Sequence, residues 1–179
     1  MKDYVITVIG MAFVVGAVNF LNIMSSLFSG YGYDTLWISS FGVIFTLFGM
    51  VGSIISGVIN DKYKCYLKIY RACCVCCVIT FPMMLWTAPT GNAWLVAANM
   101  AVGGFTVSPI GPTAISLAAE LSFPLKETVS NGLLTLSSAI GAWAISMIGA
   151  GLSLINPLYA FGLFSSCAFA GTVCSIFIV

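Results

Sequence analysis

Histidine is absent from the sequence, and charged side chains make up only 6% of it, whereas 60% of the residues are hydrophobic. A soluble domain carries several times more charge, because charge keeps it dissolved. The formal net charge of +1 provides no basic patch that could neutralise phosphates, which excludes nucleic acid as a partner. This composition is typical of a chain embedded in lipid.

The sequence also lacks a catalytic constellation. It contains no nucleophile paired with a base and no phosphate-binding glycine loop. Four of its seven cysteines, Cys73, Cys74, Cys76 and Cys77, lie in an apolar run, where thiols pack as small hydrophobic groups. Palmitoylation near the membrane boundary is the main alternative for them. Without histidine a zinc site would need thiolates alone, so we predict no metal site, no cofactor and no enzymatic activity.

Long runs without charge define the membrane spans. They cover residues 4–33, 35–60, 72–119 and 128–179. A spanning helix needs about 20 apolar residues, so the first two runs hold one helix each and the last two hold two each. Turn-forming residues divide the long runs at 87–92 and 153–157. The sequence therefore predicts an all-α membrane protein, a single domain over residues 1–179, with spans at roughly 4–28, 36–60, 66–87, 93–117, 128–151 and 156–179.

Lysine and arginine set the predicted orientation. With six spans, all six basic residues fall on one side of the membrane: Lys2, Lys62, Lys64, Lys68, Arg71 and Lys126. The connections on the other side carry Asp34 and no basic residue. The positive-inside rule makes the basic side cytoplasmic. We therefore expect both termini to lie in the cytoplasm, and we expect the membrane to be the plasma membrane.

Two segments carry functional information. The first runs from Gly57 to Lys64 at the end of the second span, where a glycine allows close helix approach and Asp61 can meet the N-terminus of a neighbouring helix. The alternative is an ordinary boundary with positive-inside charges.

The second segment begins at Gly111-Pro112, where we predict a helix break. Breaks inside a span are tolerated where protein or a water-filled cavity meets the freed backbone groups, and such discontinuous helices line transporter sites. A kink without a ligand is the alternative there.

These segments resemble a known family. Gly57, Asp61 and Lys62, standing between the second and third of six helices, resemble the signature loop of the major facilitator superfamily. The run Ala118-Ala119-Glu120-Leu121-Ser122-Phe123-Pro124, followed by Asn131-Gly132-Leu133-Leu134, resembles more closely the feline leukaemia virus subgroup C receptor-related transporters, a branch of that superfamily. The resemblance covers nearly the whole chain and aligns it with helices seven to twelve.

The resemblance implies the function and the site. It implies half of a major facilitator fold that transports a small organic solute, choline- or ethanolamine-like or haem-related, by alternating access. By the resemblance, Asn19 stands where family members have an aromatic residue that binds choline or ethanolamine, Ser138 where a glutamine is often found, and Ser116 where several members have an acidic residue. With Asn22 these are the predicted substrate-binding residues, since polar residues inside a span are functional candidates. Gly57, Asp61 and Lys62 would gate, and Glu120 and Pro124 belong to a cytoplasmic loop.

A six-helix half cannot enclose a two-sided pathway. The expected partners are therefore a small-molecule substrate, membrane lipid, and either an N-terminal six-helix half or a second chain. The alternative function is a truncated membrane protein that does not transport, but assembles with or regulates a full-length paralogue.

Overall fold

The computed structural model of the chain describes residues 2–122 and 126–178, which form eight α-helices and two short 3₁₀ segments. The α-helices are α1 (Lys2–Val18), α2 (Met24–Ser29), α3 (Thr35–Tyr63), α4 (Tyr66–Thr87), α5 (Ala93–Val107), α6 (Ile110–Leu121), α7 (Glu127–Ile155) and α8 (Pro157–Ile176). The 3₁₀ segments are Asn19–Ile23, which joins α1 to α2, and Ala88–Thr90, which continues α4.

Six helical stretches in the described residues are long and apolar enough to cross a membrane, which confirms the predicted all-helical membrane fold. They are Lys2–Ser29, Thr35–Tyr63, Tyr66–Thr90, Ala93–Leu121, Glu127–Ile155 and Pro157–Ile176. The first stretch contains α1 and α2, and the fourth contains α5 and α6. Each predicted span lies on one of them, with ends that differ by a few residues, as expected from charge counting alone.

Asparagine side chains fix the two turns that divide the long apolar runs. The Asn92 side chain accepts a hydrogen bond from the Trp94 N–H at 3.1 Å and so caps α5. Asn156 accepts one from the Leu158 N–H at 2.9 Å, directly before Pro157 in the first turn of α8. Both capping bonds satisfy amide groups that a helix start leaves without a partner.

The helices pack one against the next in a continuous series around a core of aromatic rings. Along this series α3 contacts α5, α5 contacts α4, α4 contacts α8, α8 contacts α1, and α1 contacts α7. Phe20 is fully buried, and its ring lies 5.4 Å from Phe81, 5.9 Å from Phe45 and 6.3 Å from Phe164. The pairs with Phe81 and Phe45 are edge-to-face, a geometry that adds stabilisation beyond the buried area. Four spans therefore meet at this one point.

Glycines allow α3 and α5 to touch backbone to backbone. A Cβ on Gly104 would lie 2.9 Å from the carbonyl carbon of Phe45, and a Cβ on Gly52 would lie 2.9 Å from the carbonyl carbon of Phe105. Small residues at helix crossings are the usual means of close packing in membranes. Gly52 and Gly104 therefore serve close packing of α3 against α5.

One end of the bundle carries the basic residues and is tied by hydrogen bonds between distant helices. At this basic end the Arg71 guanidinium donates to the carbonyls of Ser175 at 3.1 Å and Ile176 at 3.4 Å, and also to that of Ile178. A cation at the C-terminal end of α8 is favoured by the helix dipole. The Tyr4 hydroxyl donates to the Ser130 carbonyl at 2.8 Å, which joins the starts of α1 and α7.

Candidate functional site

The first span is interrupted where two asparagines stand. The chain leaves α1 after Val18 and runs as a 3₁₀ segment over Asn19–Ile23. The Asn19 side chain donates to the Val15 carbonyl at 2.8 Å, and Asn22 donates to Asn19 Oδ1 at 2.6 Å. Such side-chain bonds compete with helical ones, and a 3₁₀ stretch within a helix often marks a functional hinge. The span at residues 4–28 therefore contains a 3₁₀ segment, which the sequence did not predict.

The fourth span is also interrupted, but not where Gly111 and Pro112 predicted. The helix α5 ends at Val107, and α6 begins at Ile110, so the break lies at Ser108–Pro109. Gly111 and Pro112 occupy the first turn of α6, where proline is tolerated because the amide groups of a helix start need no helical partner. Each proline removes the hydrogen bond to the carbonyl four residues earlier, so the break falls before Pro112.

A cleft of about 580 Å³ opens between α1, α6 and α7, beside the interrupted part of the first span. Its polar lining is Asn19, Asn22, Thr135, Ser138 and Ser146. Its apolar lining is Met11, Val15, Ile115, Leu134, Ala139, Ala142 and Trp143. This central cleft brings together three of the four predicted substrate-binding residues, Asn19, Asn22 and Ser138.

The central cleft offers hydrogen-bond acceptors and no charge. Its lining contains no aspartate, glutamate, lysine or arginine. The Ser138 hydroxyl donates to the Leu134 carbonyl at 2.6 Å, which leaves the oxygen able to accept. Ser146 Oγ is buried and has no hydrogen-bond partner among the described residues. Buried polar atoms are nearly always partnered, so this hydroxyl is an exception among the residues that line the cleft.

The fourth predicted residue, Ser116, lies in a separate pocket at the basic end. This end pocket has a volume of about 590 Å³ and is lined by Tyr66, Ile115, Ser116, Ala119, Glu120, Glu127 and Asn131. The Ser116 hydroxyl donates to the Pro112 carbonyl of its own helix at 3.3 Å. Ile115 lines both cavities, so the end pocket adjoins the central cleft. Glu120 lies in the last turn of α6 rather than in a loop, and Pro124 lies outside the described residues.

The expected gating residues occupy the end of α3. Because α3 continues to Tyr63, Asp61 and Lys62 lie in its last turn and not in the following connection. Asp61 is exposed, and a Cβ added to Gly57 would meet nothing within 4 Å. Within the described residues, therefore, no neighbouring helix approaches Gly57 closely.

A buried polar cluster connects this end of α3 to α6. Asn60 is 6% exposed and donates to the Thr113 hydroxyl at 3.2 Å, which also lies 3.3 Å from the Ser56 hydroxyl. Thr113 stands in the first turns of α6, immediately after Pro112. The segment with the expected gating residues is thus bonded to the helix that begins at the break in the fourth span.

Sequence reasoning missed Thr135, Trp143 and Ser146 in the cleft. Thr135, Ser138, Ala142 and Ser146 follow one another at intervals of three and four residues, which places them on one face of α7. Positions three and four residues before and after Ser138 would have identified this face from the sequence. Trp143 lies four residues after Ala139, which also lines the cleft.

The fold and the cleft define a multi-pass helical membrane bundle with an open, uncharged and mainly apolar cavity beside two interrupted spans. No family model matches the chain. Similar proteins include an uncharacterised MFS-type transporter of Caenorhabditis elegans, 29% identical over 159 residues, which are 84% of this chain and 26% of that protein. The choline/ethanolamine transporter FLVCR2 of Homo sapiens is 27% identical over 99 residues, 55% of this chain and 19% of that protein. Solute carrier family 49 member A3 of Xenopus tropicalis is 28% identical over 113 residues, 61% of this chain and 23% of that protein.

These relatives are major facilitator-type transporters and members of the FLVCR and solute carrier 49 group, which confirms the resemblance drawn from the sequence. Their names describe transporters and a solute carrier. Transporters are not enzymes. The chain spans about a quarter of the length of the relatives it matches.

Proposed function

We propose that this bundle is one half of a major facilitator transporter and forms one wall of a pathway for a small organic solute. The observation that carries the proposal is the central cleft, which gathers Asn19, Asn22 and Ser138 beside the interrupted first span. Discontinuous helices at a cavity are the usual construction of transporter sites. A second half would close the open side of the cleft, and alternating access would follow from rocking of the two halves.

In this proposal the basic end faces the cytoplasm of a plasma-membrane protein. Lys62, Lys64 and Lys68 cluster there, as the positive-inside rule requires. Three of the four tryptophans, Trp37, Trp86 and Trp94, lie near helix ends at the opposite end, where an aromatic belt meets the headgroups. The end pocket with Ser116 and Glu120 then forms the cytoplasmic mouth of the cleft.

The proposal predicts that water reaches one face of α7 and not the adjacent face. Thr135 is exposed and lines the cleft, whereas its neighbour Leu136 is 59% exposed and does not line it. In the full-length protein without native cysteines, we expect Thr135→Cys to react with a membrane-impermeant thiol reagent at least about ten times faster than Leu136→Cys. The reason is that thiolates form in water and not in lipid.

The two variants are matched because they are adjacent in one helix and expose similar backbone. The measurement is the rate of labelling in inside-out membrane vesicles, with and without excess choline or ethanolamine. Slowing of the Thr135→Cys reaction by either solute supports the pathway. Equal labelling of both cysteines would show that this cleft is covered by lipid, and the proposal would be wrong.

The end of α3 is proposed to gate the cytoplasmic side. Asp61 and Gly57 present an exposed carboxylate next to open space, so their contact partner is proposed to lie on the second half. A carboxylate that meets a helix N-terminus in only one transport state shifts the balance of the two states by the free energy of that contact. For Asp61→Asn we expect uptake to slow by about three- to tenfold, with little change in equilibrium substrate binding.

The control for this experiment is Asp34→Asn, which removes an exposed carboxylate at the opposite end of the same helix. We expect that variant to transport at the wild-type rate when expression is matched. If Asp61→Asn also transports at the wild-type rate, Asp61 is a solvated charge without a gating role.

A further inference from the structure

An apolar groove between α3 and α4 has no part in the site described above. It has a volume of about 230 Å³, and its walls include Ile55 and Ile59 of α3 and Ile69, Cys73 and Cys76 of α4. Ile55 and Ile59 are 44% and 40% exposed. Among the described residues, none lines both this groove and the central cleft, and none from α4 lines the cleft. The groove therefore opens on another face of the bundle, where a membrane-spanning protein meets lipid.

The occupant of this groove must be apolar. The two hydroxyl groups in its lining are bonded within the bundle. Ser56 Oγ lies 3.3 Å from the Thr113 hydroxyl, and Thr106 donates to the Val102 carbonyl at 2.9 Å. The thiols in the lining pack as small hydrophobic groups. Over residues 69–76 the groove follows α4 for about 10 Å at 1.5 Å per residue, which suits an extended hydrocarbon chain.

One end of the groove lies at the basic end of the bundle. Lys62 follows Ile59 by three residues on α3, and Lys68 precedes Ala72 by four residues on α4. Residues at these spacings are neighbours on a helix surface, so both lysines lie on the helix faces that line the groove. Lys64 stands in the connection between the two helices, and all three lysines are exposed. The mouth of the groove is therefore positively charged.

The start of α4 adds a second preference for an anion. In the described part of the chain, Cys65 makes no capping hydrogen bond to α4, and the first turn of α4 holds no acidic residue. The amide groups of an uncapped helix start favour a negative group such as a phosphate. The Asp61 carboxylate is close in sequence, but it follows Gly57 by four residues and so lies on a different face of α3 from Ile59.

We propose that this groove binds one anionic phospholipid, with an acyl chain between α3 and α4 and the phosphate beside Lys64, Lys68 and the start of α4. A zwitterionic lipid with the same acyl chains would fill the apolar part equally well, but it has no net charge for the lysines to attract. The site therefore selects for the headgroup. This inference goes beyond the proposed transport function and does not depend on it.

The test is photo-cross-linking of the purified full-length protein in detergent micelles. The probe is a trace of phosphatidylserine that carries a photoreactive group in one acyl chain. We expect cross-links to concentrate on lining residues such as Ile59, Ile69 and Cys73. Unlabelled phosphatidylserine should displace the probe at a concentration at least about fivefold lower than phosphatidylcholine with the same acyl chains. The reason is that each lysine near an anionic lipid contributes roughly a fivefold preference.

Two lysines test the headgroup contact. For Lys64→Gln combined with Lys68→Gln, we expect the two unlabelled lipids to compete within about twofold of each other, because the charge at the mouth is lost. The matched control is Lys2→Gln combined with Lys126→Gln. It removes the same charge from the same end of the bundle, at the starts of α1 and α7, and should keep the preference of the wild type.

Ala72 tests the acyl-chain contact. Ala72 lines the groove and is exposed, so Ala72→Phe should fill the groove and abolish cross-linking to its lining. Val75→Phe is the matched control, because Val75 is 50% exposed on the same helix and does not line the groove. We expect that variant to be labelled like the wild type. If Ala72→Phe does not fold, the lysine variants decide.

Three results would overturn the inference. Equal displacement by both lipids in the wild type would make the groove part of the unselective lipid shell. Equal loss of preference in both lysine pairs would mean that the basic end attracts anionic lipids without a site. An added mass on Cys65 that hydroxylamine removes would show that a covalently attached acyl chain fills the groove instead. Failure of transport would leave the lipid site standing, since cross-linking is measured without substrate.

Discussion

Gly104→Ala is expected to prevent stable assembly of the bundle. The added Cβ would lie 2.9 Å from the carbonyl carbon and 3.0 Å from the Cα of Phe45, which belong to the backbone of α3. Neither atom can move unless the whole of α3 shifts relative to α5. Overpacking of a core typically costs about 1–3 kcal/mol, and a clash between two backbones belongs at the upper end of that range. We expect a large fall in the unfolding temperature, or aggregation, of the purified protein in detergent.

Gly162→Ala is the matched control, because a Cβ at Gly162 would meet nothing within 4 Å and Gly162 is also in a helix. Alanine favours helix over glycine by about 1 kcal/mol, so this variant should unfold at the wild-type temperature or slightly above it. The measurement is thermal unfolding followed by the monodisperse fraction on size exclusion. Equal behaviour of the two variants would mean that α3 and α5 do not cross at Gly104.

The fold was predictable because lipid imposes simple rules on sequence. Runs without charge and two turn segments were enough to locate all six spans, since backbone in lipid must be helical and a span has a set length. The capping roles of Asn92 and Asn156 follow from the same turn segments.

The interruptions within spans were harder to predict from the sequence. Pro112 indicated a break in the helix. Because proline has no N–H to donate to the carbonyl four residues earlier, the break falls before it, at Ser108–Pro109. There was no comparable signal in the sequence for the 3₁₀ segment at Asn19–Ile23, where the Asn19 and Asn22 side chains both donate hydrogen bonds. Polarity alone made these two asparagines candidates, without showing that they distort the helix.

The candidate site depended on which helices meet. Asn19, Asn22 and Ser138 line one cleft, whereas Ser116 lies in the end pocket, a separation set by the packing of α1, α6 and α7 and not by local sequence. Trp143 could not be recognised without this packing. A tryptophan in a long apolar run fits equally well into lipid, core or cavity.

The largest expected effect follows from the proposal that the chain is half of a transporter. In that proposal the described bundle provides one wall of the pathway, and a pathway that alternates between two sides needs an opposing wall near the membrane midplane. We therefore expect this chain alone to transport nothing and the chain joined to an N-terminal six-helix half to transport a small solute. The expected difference is all or none, because a half bundle cannot close around a substrate on either side.

Uptake of radiolabelled choline and ethanolamine into proteoliposomes, compared for the joined protein, the isolated chain and empty vesicles, tests this claim most directly. The joined protein should show saturable uptake of at least one of the two solutes, and the isolated chain should not exceed empty vesicles. A joined protein that folds but transports neither solute, while binding to a full-length relative, would favour the regulatory alternative over choline- or ethanolamine-like transport. Saturable uptake by the isolated chain, shown to be monomeric by cross-linking, would contradict the half-transporter proposal.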